Sequence, residues 1–319
     1  MQNLLKDAKM GNIKALARLI STLIEGGKTD LSLLSQLADA RKQAHVVGIT
    51  GPPGAGKSTL TNLLISRYRK RGFKVGVLAI DPSSPFTGGA LLGDRIRMLG
   101  HAEDKDVFIR SLGSRGMTGG LARHTEEVLC AYAACGFHHI IVETVGVGQT
   151  ELGIMELADT SVVVLVPESG DTIQTMKSGL LEAADIFVVN KADREGASQF
   201  STALRVQKEI NSKASKWDVP IVLTQAINDE GIDDLFSLLQ DHEHFVHTHP
   251  EMTEKKMTLV LQSFLDLLRD ESFSRLLRSL EQDASFKRIL EDVKAGSLNP
   301  YQALEKVMAL TSFSDGVHR

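Results

Sequence analysis

Nine residues, Gly51-Pro52-Pro53-Gly54-Ala55-Gly56-Lys57-Ser58-Thr59, place glycines, a lysine and a hydroxyl at the spacing G-x-x-x-x-G-K-[ST]. Glycines at 51, 54 and 56 let the backbone bend so that successive N–H groups converge on an anion, and a following helix start adds its positive dipole end. Lys57 is then the cation for the β- and γ-phosphates of a nucleoside triphosphate, and Ser58 offers a hydroxyl to the Mg²⁺ that bridges them. An apolar run, Val46-Val47-Gly48-Ile49, precedes the loop and an amphipathic segment follows it, which is the context that separates a phosphate loop from an ordinary glycine-rich turn. This reading places Lys57 and Ser58 on an exposed loop, needed for triphosphate and Mg²⁺ but not for folding.

A second group, Asn190-Lys191-Ala192-Asp193, closes the apolar run DIFVVN and reads N-K-x-D. A carboxylate at Asp193 accepts from both guanine N1–H and the exocyclic amine, whereas adenine presents a bare acceptor at N1 and no amine. A site built for two such bonds rejects the analogue lacking them by a factor on the order of 10⁴, because a buried partner is left unpaired. Alone the four residues are a weak signal; several strands downstream of a phosphate loop they become a strong one. Ala226, in Thr224-Gln225-Ala226 at the end of PIVLT, stands where a backbone N–H can meet guanine O6.

These groups need a scaffold that brings loop ends together. From residue 44, seven apolar runs (AHVVGIT, KVGVLAID, DVFIRS, HHIIVET, SVVVLVP, DIFVVN, PIVLT) alternate with helical segments near 57, 120–134 and 197–211. Near-continuous apolar strands alternating with helices predict an α/β fold, a mostly parallel P-loop sheet with helices on both faces and ligands at the carboxyl ends of its strands. N-terminal helices and a helical C-terminal arm flank it: residues 1–42 form a helical extension, 43–245 the nucleotide domain and 246–319 the arm. With 319 residues, 42% of them apolar, the chain has enough for a substantial core and reads as an ordinary soluble globular protein, with a formal charge of −4. It gives no electrostatic case for nucleic acid or an anionic membrane. The N-terminus lacks the apolar core of a signal peptide, so a cytoplasmic location is expected. Cys130 and Cys135 match no zinc or redox spacing and read as small buried hydrophobes.

The run from Asp81 through Asp94 to Met98, and the run Glu143-Thr-Val-Gly-Val-Gly-Gln149-Thr-Glu151, together resemble the MeaB/ArgK family of P-loop GTPases over nearly the whole chain. The resemblance implies GTP and GDP as ligands, Mg²⁺ as cofactor, and Asp81, Asp94 and Glu143 as carboxylates on the metal side, with Asn190, Lys191 and Asp193 reading the base. It also implies a homodimer and a chaperone role toward an adenosylcobalamin (B12)-dependent acyl-CoA mutase such as methylmalonyl-CoA mutase, gating cofactor loading and protection. Two alternatives stay open: an ATP-dependent kinase, against which Asp193 argues, and a nickel-delivery metallochaperone GTPase, for which only a histidine tract speaks.

That tract, His242, His244, His247 and His249, reads as a solvated linker, with no pair at i, i+4 and no cysteine beside it. Val147 follows Gly146 where many small GTPases carry the water-orienting glutamine, so intrinsic hydrolysis is expected to be slow. Asp171, Gln174 and Lys177 after SVVVLVP have the spacing of successive helical turns and could share one face. The resemblance implies that this region is a further switch answering to the mutase, so they are the groups expected to complete catalysis when the partner organises their loop. The apolar stripe from Met257 to Leu280 reads equally as internal packing or a dimer face.

Overall fold

The computed structural model describes residues 1–24, 31–81, 99–101, 103–113, 120–144, 153, 157–167, 184–211 and 217–310. Seven strands form a single parallel sheet: β1 (His45–Thr50), β2 (Val75–Asp81), β3 (Val107–Gly113), β4 (His139–Thr144), β5 (Thr160–Leu165), β6 (Ile186–Asn190) and β7 (Ile221–Thr224). Their order is β3-β2-β4-β1-β5-β6-β7, so β1 is central and the chain reverses its direction of travel across the sheet there. Ligands bind at such a reversal, off the carboxyl ends of the strands.

Both sheet faces are covered, which explains why the strands lack polar alternation. On one face, Val46, Leu78, Ile140 and Val142 pack against α1 (Gln2–Lys9), α2 (Ile13–Ile24), α3 (Leu31–Arg41) and α5 (Gly120–Ala134). Helix α2 buries Ala15, Leu16, Leu19, Ile20 and Leu23 at three- and four-residue steps. Its first turn is capped by Asn12, whose Oδ1 accepts from the Ala15 N–H at 3.1 Å. On the opposite face, Val47, Ile49, Val162, Val164 and Val188 meet α4 (Lys57–Lys70) and α7 (Ile232–Thr248). Val163, Leu165, Phe187 and Val189 pack with Phe200 and Leu204 of α6 (Ala197–Asn211).

The N-terminal helices are thus one wall of the core, and residues Met1–Met252 make one compact unit. A second unit, Thr253–Arg319, contains most of α8 (Pro250–Leu280) with α9 (Ala284–Lys294) and α10 (Pro300–Leu310). On α8 the side chains of Met257, Val260, Leu261, Phe264, Leu265 and Leu268 are exposed. No helix among the described residues is long and apolar enough to cross a membrane. Cys130 and Cys135 are buried free thiols. Burial pushes both thiols up, Cys135 to about 11, which suits an apolar packing role.

Candidate functional site

Strand β1 delivers the chain to Gly51 at the central carboxyl edge, where the backbone turns through Gly51, Gly54 and Gly56 at φ of 141°, 76° and 93°. Two of these glycines are required by space as well as conformation. A Cβ on Gly51 would lie 2.0 Å from the Val164 carbonyl oxygen, and one on Gly56 would lie 2.2 Å from Asn190 Nδ2. Gly56 starts α4 without a side-chain cap, so the helix presents its first N–H groups and its positive end to the loop. Lys57 folds back over the loop, its Nζ donating to the carbonyls of Gly51 at 2.7 Å and Pro52 at 3.0 Å.

The expectation of an exposed loop position for Lys57 and Ser58 is corrected here. They are the first two residues of α4 and only 6% and 9% exposed. Helix α4 packs on β1 and its neighbours, and that packing draws its first turn down to the sheet edge.

Ser58 Oγ donates to Glu143 Oε1 at 2.6 Å. Glu143 is 1% exposed and stands in register with Ile49 of β1 and Ala79 of β2, at the sheet's centre and carboxyl edge. A carboxylate this deep needs a hydrogen-bonding or cationic partner. Hydroxyl and carboxylate oxygens side by side are the donor set of a hard cation such as Mg²⁺. Asp81 ends β2 two positions beyond Ala79, which puts its backbone at the same edge. Asp94 lies outside the described residues, as do Asp171, Gln174, Lys177 and Gln149.

Across the cavity, the end of β6 and the turn after β7 form the second wall. Asn190, 2% exposed, lines the cavity, and its amide is engaged by protein groups on both sides. Its Nδ2 donates to the Ala55 carbonyl at 2.8 Å, and its Oδ1 accepts from Thr224 Oγ1 at 3.0 Å and from the Ala226 N–H at 3.1 Å. One side chain therefore ties the phosphate loop to both base-side segments. The Ala226 N–H, expected to meet guanine O6, is directed to Asn190. Lys191 adopts a left-handed φ of 58°, unusual for a side-chain-bearing residue, and swings the chain so that Asp193 faces the cavity exposed. Pro53, Gly54, Gly56, Lys57, Ser58, Thr59 and Glu143 line one side, Lys191, Asp193 and Arg194 the other, around about 680 Å³. That is the size range of a small-molecule cleft.

Arg194 and Ile227 also line this cavity, and the sequence reading passed over both. Ile227 is 88% exposed at the rim. An isoleucine right after Thr-Gln-Ala, outside any amphipathic period, was the available signal.

The histidine tract requires a second correction. Residues 242–248 are the last two turns of α7, not a linker, and His242 is completely buried. Its Nδ1 is 2.7 Å from Thr160 Oγ1, its Nε2 is 3.5 Å from Asp185 Oδ1, and Trp217 packs edge-on against the ring. The apolar stripe Ile232, Leu235, Phe236, Leu239 continues directly into the tract at helical steps, and it is this continuation that carries His242 inward.

Residues 16–281 match the family described as methylmalonyl Co-A mutase-associated GTPase MeaB. A Pyrococcus horikoshii protein named "Putative GTPase" is 42% identical over 313 residues, 97% of each chain. The mouse mitochondrial methylmalonic aciduria type A homolog is 31% identical over 272 residues, 82% of this chain and 64% of that protein. Among solved structures, one titled LAO/AO transport system kinase superposes with a TM-score of 0.65 at 25% identity, covering 97% of both chains.

Proposed function

The chain belongs to the MeaB family of methylmalonyl-CoA mutase-associated GTPases, and from that premise we propose that it serves as a GTP-hydrolysing chaperone of an adenosylcobalamin-dependent acyl-CoA mutase. In this reading its nucleotide state gates the loading and protection of the mutase cofactor. The observation that carries the nucleotide half is the Asn190 side chain, which ties the phosphate loop to the base-side segments on the two walls of a single cavity.

Each residue then has a task. Glycine-loop N–H groups from Gly51 to Ser58 bind phosphate oxygens, and Lys57 exchanges the Gly51 and Pro52 carbonyls for the β- and γ-phosphates. Ser58 and Glu143, with Asp81 and Asp94, hold Mg²⁺ directly or through water. The chemistry such an ion would supply there is positive charge for the phosphates. Asp193 accepts from guanine N1–H and the 2-amine, while the Lys191 stem and Ile227 flank the base plane. Catalysis stays slow until the mutase organises the loop bearing Asp171, Gln174 and Lys177, with Lys177 neutralising charge and Gln174 positioning water. The exposed stripe Met257, Val260, Leu261, Phe264 on α8 is the homodimer face.

The kinase title of the superposed structure belongs to that protein; Asp193 favours guanine over adenine here. The test is single-turnover hydrolysis of GTP and ATP with and without the mutase. Expected is GTP turnover alone, accelerated on the order of 10²-fold by mutase, with the gain lost in Gln174→Ala and Lys177→Ala. Equal turnover of ATP, or no response to any adenosylcobalamin-dependent mutase of the same cell, would overturn the reading.

A further inference from the structure

At the opposite, amino edge of the sheet, residues from separate segments converge. His45 opens β1, and Glu243 and His247 lie one turn apart on α7, so that they share a face. One imidazole nitrogen from each histidine and one carboxylate oxygen all lie within 4.8 Å of one another. The three are graded in exposure: His45 is buried, Glu243 half-buried and His247 exposed.

Behind His45 stands a hydrogen-bonded row. Its Nε2 is 2.8 Å from Thr160 Oγ1, which is 2.7 Å from His242 Nδ1, and His242 Nε2 points toward Asp185 at 3.5 Å. His242 Nε2 makes no hydrogen bond among the described residues, but the Asp185 carboxylate 3.5 Å away favours an N–H over a lone pair on that nitrogen. His242 turns its Nε2–H to Asp185, Thr160 donates to His242 Nδ1, and His45 donates its Nε2–H to Thr160. That polarity puts the His45 ring proton on Nε2, toward Thr160. A histidine whose far nitrogen is fixed by a hydrogen bond is the usual state of a metal ligand, because the bond sets ring orientation and raises basicity.

We propose that His45, Glu243 and His247 form a binding site for a borderline divalent transition-metal ion, Zn²⁺ in the first instance, which pins α7 to the start of β1. Two imidazoles and one carboxylate suit Zn²⁺, Co²⁺ or Ni²⁺ rather than Mg²⁺ or Ca²⁺, which select all-oxygen shells. Around a four-coordinate ion with bonds of about 2.0–2.1 Å, ligand atoms lie roughly 3.3 Å apart. The present separations, none above 4.8 Å, need only side-chain adjustment of the half-buried Glu243 and the exposed His247 to approach that value. The outward-facing His247 provides the entry route, and the fourth position is open to water. The site lies at the end of β1 remote from the phosphate loop, so it is separate from the nucleotide-side cation and from any cation delivered with GTP.

The experiment titrates Co²⁺ and Zn²⁺ into chelator-washed full-length protein with excess Mg²⁺ present to fill oxygen sites. Co²⁺ is followed by visible absorption and Zn²⁺ by metal analysis and competition. Expected is one ion per chain, a tetrahedral-type Co²⁺ band, and affinity weakened at least 10-fold in both His247→Ala and Glu243→Gln. His244→Ala and His249→Ala, in the same tract but outside the triad, are expected to bind as wild type. GTP affinity, measured on every variant, reports that the fold is intact and stays unchanged. No stoichiometric binding to the wild type, or equal weakening by His244→Ala, would overturn the assignment and leave only a histidine-rich helix end.

Discussion

The two edges of the sheet are built on opposite plans. At the carboxyl edge, loops with left-handed glycines and an open cavity of about 680 Å³ are held by one buried asparagine. At the amino edge the polar groups are side chains packed ring on ring. His139 stacks on Tyr68 at 4.7 Å and meets Phe73 at 4.4 Å, His242 packs with Trp217, and His45 bonds to Thr160. The first plan uses backbone N–H groups, which come only from consecutive residues, and leaves room for a ligand of its own size. The second uses side chains from the starts of β1, β4 and β5 and from α7.

The difference can be broken most severely at Lys57. Lys57→Ala is expected to lower GTP turnover by at least about 10³-fold, since the amine is the only loop side chain that can follow charge onto the phosphates. Because Lys57 is buried, the fold is not indifferent to it. Loss of two carbonyl bonds is opposed by removal of a buried ammonium, so the nucleotide-free melting temperature should move by only a few degrees. A collapse of the unliganded protein would make the lysine structural and erase the contrast between the edges.

A sharper cut separates reader from brace on the base side. Asp193→Asn, on an exposed residue, is expected to lose guanine affinity on the order of 10²-fold or more and admit xanthine nucleotides, with stability unchanged. Asn190→Ala is expected to weaken all nucleotides and also cost roughly 1–3 kcal/mol of stability, because it orphans the Ala55 carbonyl, the Thr224 hydroxyl and the Ala226 N–H. Denaturant melts beside nucleotide titrations distinguish them. Identical behaviour of the two variants would mean that Asn190 is a reader after all.

The smallest effect lies at the amino edge and is read by pH. Burial, and after it the neighbouring His138, pushes the His139 imidazole from 6.5 down to about 4. Above pH 6.5 the ring is neutral in both folded and unfolded chain, and no linkage arises. Between 6.5 and about 4 the unfolded chain takes up the proton and the native one does not, so stability falls as pH falls. With the ring partly solvated, the loss is on the order of 1 kcal/mol. His139→Phe should flatten that part of the stability profile; an unchanged slope would place the titration elsewhere.

The sequence by itself determined the parallel α/β sheet and the nucleotide loops. All seven apolar runs are strands, and 120–134 and 197–211 are helices as the periodicity requires. Covered strands must be apolar throughout, and a phosphate cradle must be contiguous, so both leave their mark in adjacent residues. Only the tertiary structure decided that Lys57 is buried, that Asn190 braces two loops, and that residues 242–248 form a helix with His242 inside. It alone brought His45 beside Glu243 and His247. The partners of Asn190 stand 34 to 135 positions away, and Thr160 reaches His242 across 82. No local spacing encodes such a pairing, because it is set by which strand follows which across the sheet and by how far a helix turns before it docks.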